Sequence, residues 1–333
     1  YTGTGSNQTI SNTFQSDMIW VKGRNYAYNH SIQDAVRGFS ANKVIYPNLT
    51  NVEGHYSDTG YIQSVASNNF VVGTGTHSDD ANYNDNGSTY VAWNWKANGS
   101  GSANTDGSIN STVSVNQTAG FSIVKYTGTG SNASVGHGLS SAPKMIIEKQ
   151  IDSGSNDWGV YHASKGAGHY TKFNTNEAFS SHTGVWQGVE PTNSVFYLGN
   201  SSLANASGGT HIAYCFTDVV GFSKFNYYSG NFANDGTFIY TGFAPQLVIV
   251  KKRDATGNFR MFDNVRDPAN PAEKWFNADS NAVEGTDIQA DLLSNGFKLR
   301  DAANAFNTSG SIYIYMAWGQ SLVGSNNVPC TAR

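Results

Sequence analysis

The strongest constraint on the fold is an internal repeat. The run Tyr1-Thr2-Gly3-Thr4-Gly5-Ser6 returns unchanged as Tyr126-Thr127-Gly128-Thr129-Gly130-Ser131, and more loosely as Tyr228-Ser229-Gly230-Asn231. The apolar run Met18-Ile19-Trp20-Val21-Lys22 returns as Met145-Ile146-Ile147-Glu148-Lys149 and as Leu247-Val248-Ile249-Val250-Lys251. Tyr90-Val91-Ala92-Trp93-Asn94-Trp95 returns as His211-Ile212-Ala213-Tyr214-Cys215-Phe216 and as Tyr313-Ile314-Tyr315-Met316-Ala317-Trp318. From second copy to third all three landmarks shift by 102 residues; from first to second they shift by 125, 127 and 121. Self-similarity at a fixed spacing marks equivalent supersecondary units. The excess between the first two copies falls in 98–120, whose Gly, Ser, Asn and Thr read as a flexible linker.

Alternation within the landmarks gives the strand faces. Val91/Trp93/Trp95, Ile212/Tyr214/Phe216 and Ile314/Met316/Trp318 are three large apolar faces at period two, as in half-buried strands. The Met18 type runs are apolar on both faces, as a central strand requires. Phe70-Val71-Val72-Gly73, Val195-Phe196-Tyr197-Leu198-Gly199 and Gly296-Phe297-Lys298-Leu299 supply a further strand in each unit. Helical signal is confined to 34–38 and 287–293. The expected fold is all-β: three tandem β-sandwich or jelly-roll-like units of about 100 residues. They span 1–97, 121–225 and 226–320, with the linker at 98–120 and a tail at 321–333. Each is just large enough to bury a core of its own.

Composition agrees and removes several functions. Charged residues make up 13% of the chain and aromatics 13%, with 36 glycines and only 7 prolines. Helical surfaces want Glu, Lys, Arg, Ala and Leu, and disordered chains lack aromatics. A net charge of −4 without a basic run leaves no electrostatic footprint for nucleic acid. No apolar run approaches the ~20 residues of a membrane-spanning helix, so no membrane insertion is expected. Cys215 and Cys330 cannot make a disulfide framework, and Cys215 reads as a small core residue.

Recurrence among the three units is the one constraint on residue identity visible within the chain. Lys22, Lys149 and Lys251 share one place at the end of the central strand. They are either a shared ligand contact or, more simply, solvated charges that deter edge pairing. Asp34 precedes Arg37, and Asp263 precedes Arg266, by three residues, which reads as an ion pair pinning a turn; the middle unit has His162 and Lys165 there. Glycoside hydrolysis usually needs two carboxylates about 5–10 Å apart. Glu53, Asp79, Asp80, Asp157, Glu190 and Glu284 are available, but no pair recurs. Asp79, Asp80 and Asp85 crowd oxygen ligands as calcium prefers, yet their counterparts hold few acids, so the reading is an ordinary polar loop. No metal or cofactor is expected. Trp158, Tyr161, Trp186, Tyr227, Tyr228 and Trp275 fall near expected loops. Their rings either cap the core or face solvent for sugar stacking and protein contact.

The Tyr-Thr-Gly-Thr-Gly-Ser run, the Met-Ile-Trp-Val-Lys strand, Asp34-Ala35-Val36-Arg37-Gly38 and Tyr90-Val91-Ala92-Trp93-Asn94-Trp95-Lys96 together resemble a repeat of virion structural proteins of marine tailed bacteriophages. These are tail fibre or appendage proteins of uncharacterised function. The likeness covers nearly all of 1–319, with Gly120-Phe121-Ser122-Ile123-Val124-Lys125-Tyr126 and Val135-Gly136-His137-Gly138-Leu139 closest in the middle unit. It carries no catalytic residues. It implies a non-enzymatic protein of the virion surface, most simply a host-contacting fibre or appendage adhesin. The implied partners are other virion proteins, a homo-oligomer such as a trimer, and a host surface glycan or protein. The alternatives are a capsid decoration protein, a polysaccharide depolymerase and a cellular surface filament.

Overall fold

A computed structural model describes residues 1–77, 82–302 and 305–321. Strand accounts for 43% of the chain and helix for 4%, so the protein is all-β. The first segment forms β1 (Gln8–Ser11), β2 (Met18–Gly23), β3 (Ser31–Asp34), β4 (Tyr61–Ala66), β5 (Asn69–Gly73) and β6 (Tyr90–Trp95). They pair as two sheets, β3-β2-β6 and β1-β5-β4. The second segment forms β7 (Ser102–Asn104), β8 (Ser111–Asn116), β9 (Phe121–Thr127), β10 (Ala133–Gly136), β11 (Met145–Gln150), β12 (Trp158–His162), β13 (His169–Lys172), β14 (Ser180–Ser181), β15 (Val195–Leu198) and β16 (Thr210–Phe216). Two single helical turns, α1 (Thr183–Trp186) and α2 (Ser202–Asn205), lie among them. One sheet runs β14-β13-β12-β11-β16-β9-β8-β7, and β10 pairs with β15. The third segment forms β17 (Ser223–Ser229), β18 (Phe238–Tyr240), β19 (Phe243–Lys252), β20 (Arg260–Asp263), β21 (Ala272–Asn277), β22 (Gly285–Leu293), β23 (Gly296–Leu299) and β24 (Ile312–Ser321). Its order is β17-β24-β19-β20-β21-β22-β23-β18.

Two local expectations are corrected. Residues 98–120 are not a linker: β8 pairs with β9 along its whole length, from Ser111 opposite Tyr126 to Asn116 opposite Phe121, and β7 adds outside it. Short neutral side chains such as Ser, Thr and Val suit a strand surface as well as a linker. The 287–293 run is strand within β22, and 34–38 is a hydrogen-bonded turn without a helix.

The three landmark strand pairs share one register. Met18 opposes Trp95, Met145 opposes Phe216 and Leu247 opposes Trp318. Trp20 opposes Trp93, Ile147 opposes Tyr214 and Ile249 opposes Met316. These large side chains do not fill three separate cores. They meet in one central cluster, where the rings of Trp95, Phe216 and Trp318 close a triangle with centroids 6.5, 5.4 and 5.6 Å apart. Each pair is edge-on, the arrangement aromatic quadrupoles favour. The opposite faces fill three satellite cores: Ile19, Val21 and Tyr90; Ile146, Ala213 and Cys215; Val248, Val250 and Tyr313. The landmark strands therefore pack on both faces, with Val91, Ala92 and Asn94 of β6 only partly buried. Cys215 is a fully buried thiol, as read.

The Tyr-Thr-Gly run is a clamp. Tyr1, Tyr126 and Tyr228 donate their hydroxyls to the carbonyls of Tyr83 (2.7 Å), Ala204 (2.7 Å) and Phe306 (2.8 Å). Buried Asn84, Asn205 and Asn307 accept from the amides of Thr4, Thr129 and Asn231. The same amides of Asn84, Asn205 and Asn307 donate back to the carbonyls of Ser6, Ser131 and Ala233. The first glycine is required by close approach: a Cβ on Gly3, Gly128 or Gly230 would stand 2.1, 2.3 or 2.4 Å from a backbone oxygen. The second glycine, Gly5 or Gly130, has positive φ; Phe232 takes that conformation at the matching place, where a bulky side chain is strained.

Candidate functional site

The recurring lysines are fully buried, which overturns the solvated-charge expectation. Lys22 Nζ donates to the carbonyls of Gly23 (2.8 Å) and Asn281 (3.3 Å). Lys149 Nζ reaches Asn156 (2.8 Å) and Thr50 (3.0 Å), and Lys251 Nζ reaches Asn176 (3.0 Å) and Gly257. Each ammonium thus bridges to a different segment: first to third, second to first, third to second. Backbone oxygens accept the protons that burial would otherwise leave without partners.

Burial pushes the pKa of Lys22 down to about 7, and those of Lys149 and Lys251 to about 8. Between those values and the ordinary lysine pKa of 10.5 the unfolded chain holds more protons than the folded one. Stability therefore rises with pH over that window. Above about pH 10 the sign reverses, because burial raises the phenols of Tyr126, Tyr214 and Tyr228 well above their ordinary range. Urea midpoints measured from about pH 7 to 11 are expected to climb and then fall, and Lys22→Met is expected to flatten the climb. A midpoint that falls steadily from neutrality would contradict this.

The Asp-x-x-Arg turns are the ion pairs the spacing predicts, and they also join segments. Arg37 Nε lies 2.6 Å from Asp34 Oδ2, and Arg266 Nε 2.6 Å from Asp263 Oδ2, all four side chains nearly inaccessible. Glu53 and Glu284 each complete one network, at 2.9 and 3.0 Å from the guanidinium. Tyr214 of β16 donates its hydroxyl to Asp34 Oδ2 (2.8 Å), and Trp93 of β6 its indole N–H to Asp263 Oδ2 (3.2 Å). These donors hold the same register in different segments. Burial works against the Arg37 charge, yet Asp34, Tyr214 and Glu53 together raise its pKa. In the middle segment His162 Nδ1 keeps the turn through the Ser164 amide (3.2 Å) and hydroxyl (2.8 Å), and Lys165 pairs with Asp254 of the third segment at 2.7 Å.

Of the two readings for the candidate aromatics, four of the six rings take the interior one. Trp158, Tyr161, Trp186 and Tyr228 are buried. Trp158 donates its indole N–H to the carbonyls of Tyr46 (3.1 Å) and Leu49 (3.0 Å), far away in the chain, and Tyr161 donates its hydroxyl to Glu190 (2.5 Å). Trp275 is half-buried under the Arg260 guanidinium, 3.5 Å from its ring centroid. Tyr227 alone of the six is exposed, beside Arg253. Asp79 and Asp80 lie outside the described residues, as does Cys330. Asp85 accepts from the hydroxyls of Tyr28 (2.7 Å) and Ser88 (2.5 Å). Among the described residues no three His, Cys, Asp or Glu side chains form a metal cluster.

The first segment has an open cleft of about 410 Å³, lined by Ala27, Tyr28, Asn29, Tyr56, Asp58, Thr59, His77 and Asn82. Its floor is fixed: Asn82 accepts from the Asn29 amide (3.1 Å) and donates to Thr59 Oγ1 (2.7 Å). Sequence reading passed over Tyr28 and Tyr56, although both are non-recurring loop aromatics, the same signal that selected Trp158 and Trp275. A family model described as a domain of unknown function, DUF7483, matches residues 1–321. The chain belongs to that family. No curated protein and no solved structure matches it. In this DUF7483 chain the cleft, Tyr227 and the inter-segment networks are the features whose chemistry bears on function.

Proposed function

We propose that the chain is a non-enzymatic structural protein of a bacteriophage virion surface, acting as a host-contacting fibre or appendage. In this reading three equivalent sandwich units close a ring around one apolar core, with 98–120 belonging to the second unit. The observation that carries it is the cyclic set of buried lysine contacts, from Lys22 to Asn281, Lys251 to Asn176 and Lys149 to Thr50. Such a chain spends its buried charge on internal closure, which suits a rigid body displayed on a particle. Four of the six acids considered for glycoside hydrolysis have other work. Glu53 and Glu284 sit in the arginine networks, Asp157 pairs with Lys172 at 3.0 Å, and Glu190 holds Tyr161.

Immunogold labelling of intact virions with an antibody against the chain tests the reading. Label on the tail is the expected result. Label confined to the head would favour a capsid decoration role, and label absent from purified particles would overturn both. The homotrimer implied by the fibre resemblance would bring nine such units together; a solution mass equal to one chain would remove it.

A further inference from the structure

The candidate loop aromatics are mostly interior, but the cleft of the first segment gathers the same chemistry at the surface. Tyr28 is held as a fixed wall: its hydroxyl is tied to Asp85 at 2.7 Å, and its ring stacks on Tyr90 (6.4 Å, 13°) and Tyr26 (5.5 Å, 26°). Burial and the Asp85 carboxylate push its pKa up to about 12, so the phenol stays neutral. Tyr56 supplies a second ring, braced edge-on by Tyr46 at 5.3 Å. Asp58 is exposed at the rim, and its carboxylate makes no hydrogen bond or ion pair among the described residues. Among the described residues no arginine or lysine lines the cleft, and the Asp58 carboxylate repels an anionic ligand.

We propose that this cleft binds a neutral pyranose ring of a carbohydrate. Such a ring has two kinds of surface: axial C–H groups on its face pack on an aromatic ring, while adjacent hydroxyls at its edge donate to a carboxylate acceptor. Tyr56 supplies the first surface and Asp58 the second, with Tyr28 as the fixed side wall, and a volume of about 410 Å³ lies in the range of small-ligand sites. Preformed walls reduce the ordering cost that weakens flexible sites. The proposal rests on the host-contact reading and names the ligand class for it.

The test is saturation-transfer NMR with the full chain and the methyl glycosides of glucose, galactose, mannose and N-acetylglucosamine. At least one glycoside is expected to receive transfer. Its affinity should fall about tenfold or more in Asp58→Ala, the loss that goes with a hydrogen bond to a charged acceptor. It should fall similarly in Tyr56→Ala and be unchanged in Tyr227→Ala, a ring exposed elsewhere. Asp58→Ala removes an exposed side chain, so folding is not at stake. Absence of transfer to all four glycosides would overturn the site, as would transfer that survives both cleft variants. Virion labelling reads position on a particle and glycoside titration reads a complex in solution, so either can fail without the other.

Discussion

Replacing Glu148 by valine alone is expected to cost about 1–3 kcal/mol, the penalty of leaving the buried His211 ring without its hydrogen-bond partner. Adding His211→Tyr should return all of it and carry the chain about 1–4 kcal/mol past the parent, as when buried ion pairs give way to well-packed groups. The pair is fully buried, with Glu148 Oε1 2.5 Å from His211 Nδ1. Among the described residues Glu148 Oε2 and His211 Nε2 have no hydrogen-bond partner, and burial raises the Glu148 pKa. The protein itself supplies the replacement. Val21 with Tyr90, and Val250 with Tyr313, occupy the same two positions of the register. The ring geometry is already in place: Tyr126 stacks on His211 at 5.1 Å, as Tyr1 does on Tyr90 at 5.1 Å and Tyr228 on Tyr313 at 5.2 Å. Tyr90 and Tyr313 accept from the amides of Asp85 (2.9 Å) and Thr308 (3.0 Å). The new phenol would face the equivalent amide, that of Ala206. Urea denaturation of the parent, both single variants and the double variant gives the cycle. A double variant no more stable than Glu148→Val would refute the equivalence of the three positions.

What the sequence could reveal depends on whether a residue's partners are near it in the chain. The strands at Met18, Met145 and Leu247 announce themselves by apolar runs, and the Asp34–Arg37 pair by its spacing, because both are local. Periodicity also marks Trp95, Phe216 and Trp318 as buried. It does not say against what, and only the register shows the three rings meeting. Lys22 looked solvated for the same reason: the carbonyl of Asn281 that receives its proton is 259 residues away. Trp158 directly follows the polar run Ser153-Gly154-Ser155-Asn156-Asp157 and so lies near an expected loop, yet its indole is capped by carbonyls more than 100 residues earlier. In the cleft, Tyr28 and Tyr56 come from separate loops whose convergence no local pattern records.

The second large effect is expected at the junction of the first and second segments. Asp34→Ala should destabilise by about 3–5 kcal/mol, because it strips the buried Arg37 of its nearest counter-charge. Tyr214→Phe removes only one hydrogen bond to that carboxylate and should cost about 1.5–3 kcal/mol. The two losses should not add: once Asp34 is gone, the hydroxyl of Tyr214 has only Arg37, at 3.5 Å, to lean on. A difference of 0.5–3 kcal/mol between the double variant and the sum of the singles is the expected coupling. The other junctions say why the network is built this way. Where the neighbour presents a donor, Tyr214 or Trp93, an aspartate waits for it. In the middle segment the equivalent neighbour is Met316, which donates nothing, and His162 stands against the backbone beside it at Tyr315. The loss of the acid there therefore follows the loss of its donor. Strictly additive losses in the denaturation cycle would show that Asp34 serves only its own turn.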